Sequence, residues 1–298
     1  MSELSGPVID EDVLARWRQR LAPADLAALP TVYAPDLLKD QVYLVSGGGT
    51  GFGRVMTFLF ARLGAKVVIC GRREDKLKET AAEVKEALGA EVVCKPMSIR
   101  KPEEIDALFD DVFEQCGRLD VLVNNAGGQY PQNALDFTVK GWNAVIDLNL
   151  NGTWYMTQAA ARRWKERAAP GAIVNIVATI FRGMPQVAHT CAARAGVIFM
   201  SKSVAVEWAP LGIRVNCLAP GSMQSEGLEV YSDTALTRFP NSNPMRRLGD
   251  AWDVAQGVVY LSAPSAKFIT GEVLTIDGGG QMWGNTWPGG VPDYFNVV

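Results

Sequence analysis

Ser46-Gly-Gly-Gly-Thr-Gly-Phe-Gly53-Arg54 joins an apolar, strand-like stretch, Val42 to Val45, to a helix-like stretch, Val55 to Leu63. Gly47, Gly51 and Gly53 stand in Gly-xxx-Gly-x-Gly spacing. Missing Cβ atoms let such a turn tighten, and the free N–H groups of the helix after it can then meet a pyrophosphate. The run predicts a dinucleotide cradle bordered by Ser46, Gly47, Gly49, Thr50, Gly51, Phe52 and Gly53.

The next apolar stretch, Lys66 to Cys70, ends in Gly71-Arg72-Arg73. It lies about 20 residues past the glycines, where the residue that reads the ribose belongs. An acid there would accept from a free 2′-hydroxyl, whereas guanidinium forks bind a phosphate with two parallel hydrogen bonds. Arg72, helped by Arg73, therefore points to NADPH rather than NADH as cofactor; the alternative is a solvated arginine pair at a strand end.

With 298 residues, 48% of them hydrophobic and 20% charged, the chain has apolar material for one large α/β domain. A net charge of -3 with dispersed Lys and Arg gives no basic stripe, so neither nucleic acid nor an anionic membrane is an expected partner. No apolar run approaches the roughly 20 residues of a membrane span, and the amino terminus does not read as a leader. The five scattered cysteines, Cys70, Cys94, Cys116, Cys191 and Cys217, read as reduced thiols of a cytoplasmic protein, and no Cys/His spacing suggests a metal site.

Three segments are expected. Residues 1–38 form an N-terminal arm: an amphipathic helix, with Asp10 as N-cap and Val13, Leu14, Trp17 and Leu21 on one face, then Pro23, Pro30 and Pro35. Residues 39–282 alternate strand-like runs (near 41–46, 66–70, 91–95, 119–123, 172–177, 212–217 and 272–276) with helix patterns. Continuous apolar strands such as Ile173-Val-Asn-Ile-Val177 suit a parallel sheet covered on both faces, so the fold class is α/β, a single-domain, Rossmann-like doubly wound sheet of about seven strands. Residues 283–298 are an aromatic C-terminal tail with Trp283, Trp287 and Tyr294, expected to pack on a partner subunit or to line an acyl pocket.

Asn124-Asn-Ala-Gly127, Asn149 in Asp147-Leu-Asn-Leu150, Pro220-Gly221, Ile269-Thr-Gly271 and Asp277-Gly-Gly-Gly280 come after the glycine run in order. Together they resemble the short-chain dehydrogenase/reductase family over about residues 40–282. The resemblance implies that Asn125, Ala126 and Gly127 border the cofactor, that Pro220, Gly221 and Met223 cover the nicotinamide, and that Ser98 and Ile99 lie near the adenine. Ser98 stands where the family usually has an acid, and it reads equally as an ordinary turn residue. The resemblance also implies a homotetramer built on helices near 138–168 and 190–209 and on the C-terminal strand region.

The family's usual Ser, Tyr and Lys fall on Ala178, Thr190 and Arg194, so none of the three is retained. A Thr hydroxyl cannot do the proton transfer of an activated phenol, while Arg194 can hold ribose hydroxyls and supply a fixed positive charge. The remaining hydroxyl donors are Thr190, Thr179, a water held by Asn149, and Tyr130 or Tyr155; His189, the single histidine, could donate a proton near neutral pH. Gly152-Thr-Trp-Tyr-Met156, Val187-Ala-His189, Ala192-Ala-Arg-Ala-Gly-Val197 and Ile213-Arg-Val-Asn-Cys217 resemble one branch of the family, the peroxisomal trans-2-enoyl-CoA reductases. That branch implies hydride transfer from NADPH to Cβ of an enoyl thioester, with Thr190, Arg194 and Asn149 as catalytic residues and a small acyl thioester as substrate. Two other readings stay open: a ketone reductase or alcohol dehydrogenase with a relocated acid, and a nucleotide-binding scaffold with decayed catalytic residues.

Overall fold

The computed structural model describes residues 15, 17–231 and 233–283. Asp10, Val13 and Leu14 of the expected arm helix, and Trp287 and Tyr294 of the tail, lie outside the described residues.

Seven strands form one sheet: β1 (Val42–Ser46), β2 (Lys66–Gly71), β3 (Val92–Pro96), β4 (Val121–Asn124), β5 (Gly171–Ile176), β6 (Ile213–Pro220) and β7 (Val273–Ile276). Their order is β3-β2-β1-β4-β5-β6-β7, and every pair is parallel. This is the expected Rossmann-like sheet, with observed strand ends close to those read from the apolar runs.

Side chains alternate across each strand, so one strand feeds two cores. Val121 and Val123 of β4 enter a layer with helices α2 (Gly51–Arg62) and α9 (Ala251–Ser262). Leu122 enters the opposite layer with α4 (Pro102–Cys116) and α6 (Gly152–Glu166). Both faces are thus buried, which explains the continuous apolar runs. Asp250 and Asp253 close a capping box that starts α9, each side chain accepting from the other's backbone N–H.

Residues 23–38 are built into the first layer. Helix α1 (Pro23–Ala28) sends the fully buried Leu26 into it, and Leu38 is equally buried. Tyr33 Oη donates to the Gln256 carbonyl at 2.8 Å, and Trp252 Nε1 donates to the Pro30 carbonyl at 3.0 Å.

The connection leaves β1 in one direction and β4 in the other, so a cleft opens at their carboxyl ends. Ser46, at the end of β1, fixes its floor: its Oγ accepts from the N–H groups of Asn125 and Ala126, both at 3.1 Å. Behind it a buried polar chain crosses the sheet. Asn124 Nδ2 donates to Thr157 Oγ1 and Asn175 Oδ1, and Asn175 Nδ2 donates to Ser201 Oγ at 2.8 Å.

Candidate active site

A cavity of about 730 Å³ lies along this cleft. Of the sequence-predicted cofactor residues, its wall includes Gly47, Gly49, Thr50, Gly51, Phe52, Arg72, Arg73, Ser98, Ile99, Asn125, Ala126, Gly127 and Arg194. Ser46 and Gly53 sit behind the wall, Ser46 under the Asn125 loop and Gly53 against the Gly47 carbonyl.

At one end stand Arg72 and Arg73, both exposed, with Arg73 Nη2 donating to Thr50 Oγ1 at 3.2 Å. Ser98 lies nearby as a turn residue: its Oγ accepts from Arg100 N at 3.3 Å, and its own N–H is taken by Glu104. Between the ends, the N-terminus of α2 brings N–H groups without intrahelical acceptors to the cavity.

The other end is built by helix α7 (Ala188–Trp208), where Thr190 and Arg194 share a face one turn apart. Arg194 Nη1 donates to the Ile176 carbonyl at 2.6 Å, and its guanidinium lies against Gly127, where a Cβ would overlap it. Burial without a carboxylate partner holds its pKa down, to about 10, so it stays a cation at neutral pH.

Thr190 is only 1% exposed and lies behind the wall. Asn149 Nδ2 donates to Thr190 Oγ1 at 3.4 Å and to the Gly128 carbonyl at 2.9 Å, while Asn149 Oδ1 accepts from Gly128 N at 3.0 Å. The side chain expected to hold a water is therefore a brace between Thr190 and the wall residue Gly128. A π-helical turn, Asp147–Asn151, interrupts the helical run between α5 (Val139–Ile146) and α6 and aims Asn149 there.

The alternative proton donors are differently placed from expectation. Tyr130 packs on His189 with ring centroids 4.8 Å apart, and its hydroxyl lies against Gly141. Tyr155 packs with the α4/α6 core layer. Thr179 Oγ1 donates to the Pro220 carbonyl. His189 is fully buried, its Nδ1 accepts from Thr190 N at 2.8 Å, and desolvation lowers its pKa, so the ring is neutral at pH 7 rather than a charged acid.

Met223 is 4% exposed, packs its sulfur on Gly249 and is not part of the cavity wall. Pro220 and Gly221 are held at the end of β6 by Thr179 N and the Ile276 carbonyl. Sequence reading missed Arg20, Lys76, Gln129 and Glu226, all in the cavity wall. Glu226 comes shortly after Pro220-Gly221 and could have been flagged by that offset; Arg20 carries no local signal.

A family model described as Enoyl-(Acyl carrier protein) reductase matches residues 47–281. With this sheet order and cradle, the chain belongs to the short-chain dehydrogenase/reductase family, which implies a nicotinamide cofactor. The "Probable 2,4-dienoyl-CoA reductase" of Bacillus subtilis (strain 168), (2E)-enoyl-CoA-producing, is 36% identical over 256 residues, covering 84% of this chain and 100% of that protein. The peroxisomal 2,4-dienoyl-CoA reductase of Mus musculus, (3E)-enoyl-CoA-producing, is 36% identical over 266 residues, 87% of this chain and 89% of that one. Among solved structures, a short chain dehydrogenase from Bacillus anthracis matches with a TM-score of 0.77 and 37% identity, covering 84% of this chain and 100% of the other.

These relatives are named for 2,4-dienoyl-CoA rather than trans-2-enoyl-CoA substrates, so they bear out the family and not that particular branch of it. The motifs behind that expectation open α6, form the first turns of α7 and run along β6. None of them reads how far conjugation extends along an acyl chain.

The residues present fit a nicotinamide dinucleotide. The N-terminus of α2 faces the cavity, a guanidinium pair stands at one end of it, and Gly127 lacks the Cβ that would displace Arg194.

Proposed function

We propose that the chain is an NADPH-dependent reductase of a carbon–carbon double bond conjugated to the carbonyl of an acyl-CoA thioester. The observation that carries this reading is the Arg194 end of the cavity: a half-buried cation lines the wall, Thr190 replaces the phenol, and none of Tyr130, Tyr155 or His189 presents an acid. Reducing a ketone needs a proton on oxygen as hydride arrives. Reducing a conjugated double bond instead puts negative charge on the thioester oxygen, and a fixed cation meets that need.

Bound in the cavity, NADPH would supply the hydride. Arg194 would steady the ribose and lower the cost of negative charge on the substrate, Asn149 and Thr190 would hold Gly128 in place, and Arg72 and Arg73 would take the 2′-phosphate. The product would gain one hydride from NADPH and one proton from solvent, across one double bond for an enoyl thioester or a (2E)-enoyl product, and at C5 and C2 of a 2,4-diene where the remaining double bond moves to C3. The names of the relatives favour a 2,4-dienoyl thioester as substrate. The stretch 187–197 supports the second reading, a trans-2-enoyl thioester.

NADPH oxidation measured with a 2,4-dienoyl-CoA, a trans-2-enoyl-CoA and a 3-ketoacyl-CoA tests the proposal. We expect the unsaturated thioesters to be turned over, the ketone to be inert, and NADH to serve at least about tenfold worse, as a lost phosphate–guanidinium contact implies. Arg72→Ala should narrow that ratio. Turnover of the 3-ketoacyl thioester alone would mean a relocated acid, and NADPH binding without turnover of any of them would mean a scaffold.

The five cysteines are free thiols, which supports a reducing compartment such as the cytoplasm. Among the described residues no helix is long and apolar enough to cross a membrane. A homotetramer is proposed as well. Phe199 (70% exposed) and Val206 (77%) on α7 and Phe268 (100%), shortly before β7, are apolar surfaces of the kind an assembly covers. Sedimentation equilibrium should give about four times the chain mass of 32.3 kDa; a monomer at micromolar concentration would remove this part.

A further inference from the structure

The phosphate end of the cavity already contains a carboxylate. Gly51, the first residue of α2, donates its N–H to Glu226 Oε2 at 3.1 Å. Thr50, at the N-cap, makes no capping hydrogen bond with its own side chain, so Glu226 serves as the anion at the helix N-terminus. Glu226 comes from the turn Glu226–Val230, which lies beyond β6 and is not part of the glycine motif.

A second seat stands beside the first. Arg20 is held by its two outer nitrogens, one to Glu79 and one to Glu83 on helix α3 (Glu74–Leu88), the latter at 2.9 Å. Its Nε is buried, makes no hydrogen bond, and lies 3.7 Å from Glu226 Oε1. Glu226 lines both the main cavity and an adjoining one of about 300 Å³, whose wall also includes Arg20, Arg54 and Asp250, so there is open space on both sides of the side chain. A cation that leaves a buried donor unused next to a carboxylate is one rotation from a full ion pair.

We propose that Glu226 is a carboxylate latch. It competes with the phosphates of the dinucleotide for the α2 N-terminus, and when it yields it is received by Arg20 of the N-terminal arm. The inference rests on the dinucleotide reading of the cavity and makes no use of the acyl substrate. Two anions cannot share one N–H and would repel each other at that distance, so each phosphate gained there moves Glu226 toward Arg20. Cofactor occupancy and the position of the arm are thereby coupled, because Arg20 ties both Glu226 and helix α3 to the segment preceding Leu21.

Fluorescence titration of the full-length protein with NADPH tests the latch without any turnover. Glu226→Gln keeps the shape and removes the charge, and should bind NADPH at least about fivefold tighter. Adenosine 2′-monophosphate, which has the ribose phosphate and no pyrophosphate, should bind both proteins within about twofold, since screening weakens the effect of a charge that is not displaced. Arg20→Met should weaken NADPH about fivefold in the native background and not in the Glu226→Gln background. Three results would overturn the proposal: no gain in Glu226→Gln, an equal gain for adenosine 2′-monophosphate, or the same Arg20→Met loss in both backgrounds, which would place Arg20 on a phosphate directly. If the native protein bound no NADPH, the dinucleotide reading would fall and the latch with it. Tight NADPH binding without reductase activity would leave the latch standing.

Discussion

Arg194→Met should lower turnover of an unsaturated acyl-CoA by at least about a hundredfold and weaken NADPH by about tenfold, effects of the size seen when one preorganised charge donor is removed from an active site. The expectation comes from its surroundings. Its guanidinium is half-buried at the cavity wall, is anchored to the Ile176 carbonyl at 2.6 Å, and fills the space left by Gly127. Methionine of similar length keeps the packing and deletes the charge, so stability should change little while both kinetic readouts fall. Arg194→Lys restores a point charge without the fork, and should recover part of the NADPH affinity. Thr190→Val is the informative contrast. Thr190 lies behind the wall and hydrogen-bonds to Asn149, so its loss should cost far less than that of Arg194. If Thr190→Val instead abolished turnover with NADPH affinity intact, Thr190 would be the direct donor to the thioester oxygen. Kd from titration, with kcat and KM from steady-state rates, separates the cases.

Gly53→Ala should weaken cofactor binding severely, raising the NADPH Kd by about a hundredfold or more. A Cβ at position 53 would overlap the Gly47 carbonyl oxygen and come within 2.7 Å of Asn125 Nδ2, a group that ties the turn to β1. Backbone on one side and a two-bond side chain on the other leave nothing to yield, so overpacking should also cost about 1–3 kcal/mol of stability. Gly51→Ala is the control. Space is open around that Cβ, but φ is +52°, so the cost is conformational and near 1–2 kcal/mol, with the cradle otherwise intact. Thermal unfolding alongside NADPH titration distinguishes the two. Comparable binding by both variants would mean that close approach at Gly53 is not what shapes the cradle.

Much of this architecture is legible in the chain itself, because its signals are local. Apolar runs such as Val121-Leu-Val123 declare a doubly covered strand, and the glycine spacing declares a turn between strand and helix. Arg72 and Arg73 are legible for the same reason, since the motif sets their distance from it. Side-chain direction and long-range pairing escaped. Met223 turns inward onto Gly249, and Tyr130 turns toward Gly141, although both sit in loops at the rim. His189 is neutralised by burial that no neighbour in sequence announces. Arg20 reaches Glu79, Glu83 and Glu226 across large sequence separations, and ion pairs of that kind leave no periodic trace. The branch of the family is not legible either, because none of the quoted motifs reads how far conjugation extends along an acyl chain.

The turn Asp147–Asn151 has a further consequence. Helices α5 and α6 run through it as one rod that contains a surplus of backbone. Deleting one residue there would let the ladder close as uninterrupted α-helix while α5 and α6 kept nearly their present facing, because the wider turn absorbs its extra residue in about the same rotation. Asn149, within the turn, would still swing off Gly128 while the rod itself became more regular. The aim of that side chain is thus stored as extra length, and a change that improves the helix can erase it, so selection for thermal endurance alone would be a poor guardian of this wall.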